Sequence, residues 1–91
     1  MYKIYYHAAV KGDLKRIARP KLVRLKNALE DKLSHSPQLH GVPLRGTLKG
    51  YWKLRFQDYR IIFLIGRDAV KVMAIAHRKD IYRIMRRRFE T

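Results

Sequence analysis

The stretch Tyr51-Trp52-Lys53-Leu54-Arg55-Phe56-Gln57-Asp58-Tyr59-Arg60-Ile61-Ile62-Phe63-Leu64-Ile65 decides the fold. Two β-prone runs flank Gln57-Asp58, and a two-residue connection sets the register of a hairpin. Phe56 then pairs with Tyr59, Arg55 with Arg60, Leu54 with Ile61, Lys53 with Ile62 and Trp52 with Phe63. Strand side chains alternate between faces. One face therefore carries Trp52, Leu54, Phe56, Tyr59, Ile61, Phe63 and Ile65, and must be covered. The other carries Lys53, Arg55 and Arg60. Like charges directly opposite one another destabilise a sheet, so Arg55 across from Arg60 calls for an anion. Acids are scarce in the chain, and a bound phosphate would serve.

Working outward, Tyr2–His7 is β-prone, an edge or central strand. Val10, Leu14 and Ile17 follow at helical spacing, Pro20 breaks or restarts the helix, and Leu22, Leu25, Leu29 and Leu33 continue it. Lys11, Lys15, Arg16, Lys21, Arg24, Lys26 and Lys32 lie on the outer face of these helices, where they read chiefly as solvated charge. Ser34 to Pro43 reads as a loop, with Ser36-Pro37 and Gly41-Val42-Pro43 as breakers. After the hairpin, Gly66-Arg67-Asp68-Ala69 turns into a strand at Val70–His77. Strict alternation would put Lys71, Met73, Ile75 and His77 on the cationic face. Lys79–Arg88 reads as a short helix or a basic tail. The expected fold is α+β, in the order β-α-α-β-β-β. Two N-terminal helices pack on one face of a twisted, mostly antiparallel four-stranded sheet, as a single domain over residues 1–91.

Composition narrows the function. A chain of 91 residues buries only roughly 60–65% of its unfolded surface, enough for one small core. Its 22 Lys and Arg face 7 Asp and Glu, a formal net charge of +15. Such a domain seeks polyanions, nucleic acid first, because neutralised phosphates release counterions. An anionic membrane surface and an acidic protein are the other partners of that charge. The absence of cysteine excludes a disulfide scaffold and Cys-based zinc sites. Met1-Tyr2-Lys3-Ile4-Tyr5-Tyr6 reads as a strand rather than a signal peptide. The run Ile61–Ile65 is too short to span a bilayer, and a cytoplasmic location is expected. His35 and His40 share a loop with no acidic partner spaced nearby, so no metal site is expected.

A cluster of Lys53, Arg55, Arg60, His77 and Arg78 would suit phosphate chemistry. No carboxylate pair, metal cage or Gly-rich phosphate loop is evident, which argues against two-metal hydrolysis. Metal-free RNA cleavage needs a base for the ribose 2′-OH, cations for the phosphorane, and an acid for the leaving 5′-oxygen. Lysine and arginine supply the electrostatic part, and a lysine among cations can serve as base. On the residues alone, plain RNA binding explains the patch equally well.

Leu44-Arg45-Gly46, then Tyr51–Phe63, then His77-Arg78-Lys79-Asp80-Ile81-Tyr82-Arg83, resembles the RelE/ParE superfamily of type II toxins over almost the whole chain. The RelE-like branch consists of ribosome-dependent ribonucleases that cut mRNA in the ribosomal A site. The resemblance implies catalytic roles for Lys53, Arg55, Arg60, Arg78 and Tyr82. Lys53 would be the base or its support. Arg55 would clamp phosphate, since arginine cannot act as a base at neutral pH. Arg60 would stabilise the transition state. Arg78 would act on the phosphate or leaving group, with Lys79 as its substitute. Tyr82 would stack on a base or assist proton transfer. Lys49, His77, Lys79 and Arg83 are the further expected RNA contacts. No cofactor is implied. The implied partners are the 30S ribosomal A site with its mRNA and an acidic antitoxin, assembling as a toxin–antitoxin heterotetramer. Two alternatives share these residues: a ParE-like inhibitor of DNA gyrase, and a non-catalytic small RNA-binding protein.

Overall fold

A computed structural model describes residues 1–90 of the chain. The strands are β1 (Lys3–Tyr6), β2 (Val42–Pro43), β3 (Trp52–Phe56), β4 (Tyr59–Ile65) and β5 (Ala69–His77). The helices are α1 (Val10–Lys15), α2 (Arg19–His35), α3 (Pro37–His40) and α4 (Ile81–Phe89), with a 3₁₀ turn at Gly46–Leu48. Pro20 lies in the first turn of α2, where its missing N–H has no intrahelical acceptor to lose. It therefore starts α2 and separates it from α1.

The five strands form one mixed sheet in the order β1-β5-β4-β3-β2. Only the β1–β5 pair is parallel; the others are antiparallel. The expected count of four strands is one short. β2 is a two-residue edge strand inside the expected loop, and it pairs Val42 with Lys53 and Pro43 with Trp52. A proline is tolerated there because an edge strand has one side free of hydrogen-bonding demands. The same expected loop also contains the last residues of α2 and the single turn α3.

The hairpin register agrees with the sequence reading at every pair from Trp52–Phe63 to Phe56–Tyr59. Leu54, Ile61 and Phe63 are buried with Val10, Ile17, Leu25, Leu29 and Leu33 of the α1–α2 layer. Each buried aliphatic or aromatic side chain of this kind contributes about 1.5–3 kcal/mol. The second sheet face is covered too. Ile62, Ala74 and Ala76 pack with Ile81 and Met85 of α4, which makes residues 81–89 a docked helix rather than a tail.

The expected face assignment along β5 is wrong at its C-terminal half. A bulge lies opposite the Ile62/Phe63 step: Phe63 pairs with Val72, but Ile62 pairs with Ala74. Met73 is the extra residue. An unpaired residue reverses the alternation beyond it. Lys71, opposite Leu64, keeps the expected face, whereas Ile75 and His77 oppose Ile61 and Tyr59 on the α1–α2 side.

Candidate functional site

The basic face of the hairpin is where the expected site residues begin to converge. Lys53 is half-buried on β3, and its Nζ donates to the Tyr82 hydroxyl at 3.3 Å. Tyr82 sits in the first turn of α4 and packs on the Ile81–Met85 cluster. The helix thus delivers a phenol to a strand lysine 29 residues away in sequence. Arg55, two residues along β3, is exposed and lies directly across from Arg60.

Arg60 is only 8% exposed. Its Nη1 donates to the carbonyls of Gln57 and Tyr59, both at 2.9 Å. This relieves the Arg55–Arg60 repulsion without any ligand, because carbonyl oxygens supply the negative end of a dipole. It also leaves most of the five guanidinium N–H donors uncommitted to protein. The turn it holds is strained. Gln57 has φ 52°, a left-handed conformation costing roughly 1–2 kcal/mol for a residue with a Cβ. Small Ala76 stands opposite Arg60 on β5 and leaves room for the guanidinium.

Arg78 is tied to the same turn. Its N–H donates to the Asp58 carbonyl at 2.7 Å, and its Nε lies 4.0 Å from the Asp58 carboxylate. Both side chains are more than half exposed, so this ion pair holds Arg78 only loosely. Lys49 is exposed after the 3₁₀ turn, where Gly50 at φ 101° bends the chain into β3. Lys79 is exposed, and its backbone N–H donates to His77 Nδ1 at 3.1 Å. His77 is not on the basic face, for the bulge puts it against Tyr59 with ring centroids 5.9 Å apart. Arg83 points away from Lys53, pairing with Asp80 at 3.0 Å and lining a groove between α1 and α4.

Two residues that sequence reasoning missed hold α4 in place. The Asp13 carboxylate receives Arg88 Nη2 at 2.9 Å and Nη1 at 3.0 Å, a two-pronged pair between α1 and α4. Asp13 also accepts from the Ile75 N–H at 3.0 Å, and Arg88 donates to the Met73 carbonyl at 3.1 Å. The pair therefore satisfies backbone groups that β5 leaves free beside the bulge, where β1 has ended. Asp13 was visible as an anomaly. It falls three residues after Val10 and four before Ile17, on the apolar side of α1, where an acid needs a buried partner. Phe89 adds an aromatic anchor between His7 at 5.2 Å and Tyr51 at 6.1 Å.

Among the described residues no group of His, Cys, Asp and Glu could hold a metal ion. Nor is any helix there long and apolar enough to cross a membrane.

Comparison with known proteins agrees with this architecture. A search of curated proteins finds no match. Among solved structures, the toxin–antitoxin complex RelBE2 of Mycobacterium tuberculosis shares 24% identity, covering 84% of this chain and 96% of that one, with a TM-score of 0.79. The YoeB–YefM complex of Staphylococcus aureus matches at 18% identity, 85% and 97% coverage, and TM-score 0.69. The intact RelBE complex of E. coli matches at 18% identity, 85% and 96% coverage, and TM-score 0.69. These likenesses show the fold. The family model described as "ParE toxin of type II toxin-antitoxin system, parDE" matches residues 4–82. The chain therefore belongs to this family within the RelE/ParE superfamily, and is a toxin of a type II toxin–antitoxin system.

Proposed function

We propose that the protein is a ribosome-dependent mRNA endoribonuclease that stops translation by metal-independent cleavage. The observation that carries this reading is the Lys53–Tyr82 contact at 3.3 Å, set beside Arg55 and Arg60 on a sheet face where, among the described residues, no carboxylate partner meets Lys53, Arg55 or Arg60. A gyrase inhibitor has no need of a lysine–tyrosine pair next to paired arginines.

The chemistry follows from the groups present. The 2′-oxygen of a ribose attacks the adjacent phosphorus, and the P–O5′ bond breaks. The products are a 2′,3′-cyclic phosphate and a 5′-hydroxyl. Lys53, as the free amine, takes the 2′-OH proton on its Nζ, and Tyr82 holds that nitrogen in place. Arg55 and the free donors of Arg60 carry the charge that builds on the non-bridging oxygens, usually the largest catalytic contribution. Arg78 stabilises the charge on the leaving 5′-oxygen, which takes its proton from water. Lys49 and Lys79 contact the phosphates that flank the cut. The ribosome would present the mRNA to these residues. An acidic antitoxin would neutralise the basic face, in keeping with the charge of +15 and with the toxin–antitoxin complexes that share the fold.

Expression in bacteria tests the reading. Growth should arrest, and mRNA ends should map to ribosome-occupied codons. Arg60→Ala and Tyr82→Phe should each reduce cutting about 100-fold or more. Intact mRNA with altered DNA supercoiling would favour gyrase inhibition. Normal growth with intact mRNA would favour a plain RNA-binding protein.

A further inference from the structure

β5 runs on past the end of β1. The parallel pairing stops at Tyr6–Val72, and the His7 N–H closes on the Val72 carbonyl at 2.8 Å. From Met73 to His77 that edge of the sheet has no neighbouring strand. α1 and α4 flank it, joined across it by Asp13 and Arg88. A cavity of about 170 Å³ lies beside this pair, and a groove of about 260 Å³ adjoins it. The two share Asp13, Arg16 and Ile84 as walls.

The two ends differ in chemistry. The cavity end has Tyr59 and His77, with rings 5.9 Å apart at 73°. The groove end has Arg83 and Arg87. Asp13 is spent on Arg88 and on the Ile75 N–H, and Asp80 is paired with Arg83. Arg16, just past α1, and Arg87, on α4, are exposed, line the same groove, and have no carboxylate partner among the described residues. Two unpaired guanidinium forks lining one groove suit a tetrahedral anion. An aromatic pair in an adjoining cavity of this size suits one small planar ring.

We propose that this trough binds a single nucleotide of an RNA strand, with its phosphate between Arg16 and Arg87 and its base against Tyr59 and His77. It lies on the opposite flank of α4 from Tyr82 and is separate from the Lys53 face. An acidic peptide would satisfy the arginines but leave the aromatic cavity empty, so RNA is the better fit. The proposal rests on the RNA reading above for the identity of its ligand, but binding here requires no cleavage.

The test is an NMR titration of the full chain with cytidine 5′-monophosphate and, separately, with inorganic phosphate. The resonances followed are the His77 ring and the Nε–Hε groups of Arg16 and Arg87. The nucleotide should shift all three. Phosphate should shift only the arginines and bind at least tenfold more weakly. Arg16→Gln combined with Arg87→Gln should weaken nucleotide binding at least tenfold; both residues are exposed, so the fold should persist. Nucleotide shifts confined to Lys53 and Tyr82, with His77 unmoved, would overturn the proposal. So would a hexaglutamate peptide that shifts both arginines while the nucleotide leaves them unmoved, which would make the groove a protein site. Loss of mRNA cleavage without loss of these shifts would fault the ribonuclease reading and not this one.

Discussion

Asp13 carries more of the structure than any other acid in the chain. At 9% exposed it pairs with Arg88, whose side chain is 18% exposed, and together they tie α1, β5 and α4. Breaking a buried pair strands the surviving charge, at a cost of about 3–5 kcal/mol. Asp13→Ala should therefore lower the urea midpoint by that equivalent, and Arg88→Ala should do nearly the same. The double variant should cost clearly less than the sum, because the second deletion removes the stranded charge. The position of Asp13 on an apolar helix side was legible in the sequence. Its partner was not, because Arg88 is 75 residues away and looks like any other arginine in a basic run. Tyr6 makes a second residue-scale prediction. Burial first, then the hydrogen bond to Glu30 at 2.6 Å and its charge, push the Tyr6 hydroxyl well above its ordinary value of 10.0. The folded chain thus keeps a proton that the unfolded chain releases. The resulting stability is complete below pH 10 and is lost progressively as pH rises through the folded value. Denaturant midpoints of the wild type and Tyr6→Phe, compared from pH 9 to 11, should show the steeper loss in the wild type. Parallel curves would contradict this.

The hairpin was readable at the scale of the element because a two-residue turn and a strict apolar alternation leave one register. β5 was not, because nothing in Lys71-Val72-Met73-Ala74 announces which residue will bulge. The backbone beside the bulge is served by its surroundings: Asp13 accepts from the Ile75 N–H and Arg88 donates to the Met73 carbonyl. That single step moved His77 from the basic face to the other side of the sheet. The Ser34–Pro43 segment shows a similar limit. Its prolines and glycine signal irregular chain, which misses the end of α2, the single turn α3 and β2, because elements of four and two residues have no period to detect. Gly41, between them, is tightly constrained. A Cβ there would lie 2.6 Å from the ring of buried Phe63 and 3.0 Å from the Pro37 carbonyl. Gly41→Ala should cost about 1–3 kcal/mol by overpacking, read from urea unfolding; an unchanged midpoint would mean the ring has room to move.

For the whole molecule, charge and fold have different roots. The net charge of +15 pointed to a polyanion from composition alone, whereas the mixed sheet with helices on both faces is set by the apolar pattern. The branch of the superfamily is the part that composition cannot reach, since net charge alone does not name the target. The proposed nuclease reading rests instead on side-chain geometry, above all the contact of Lys53 with Tyr82 at 3.3 Å. The most direct measurement uses programmed ribosomes and a defined message, made either all-ribose or with one 2′-deoxy nucleotide at the cut position. The wild-type protein should cut the first, leaving a 2′,3′-cyclic phosphate, and spare the second. Equal cutting of both messages, or cutting of neither, would contradict the account.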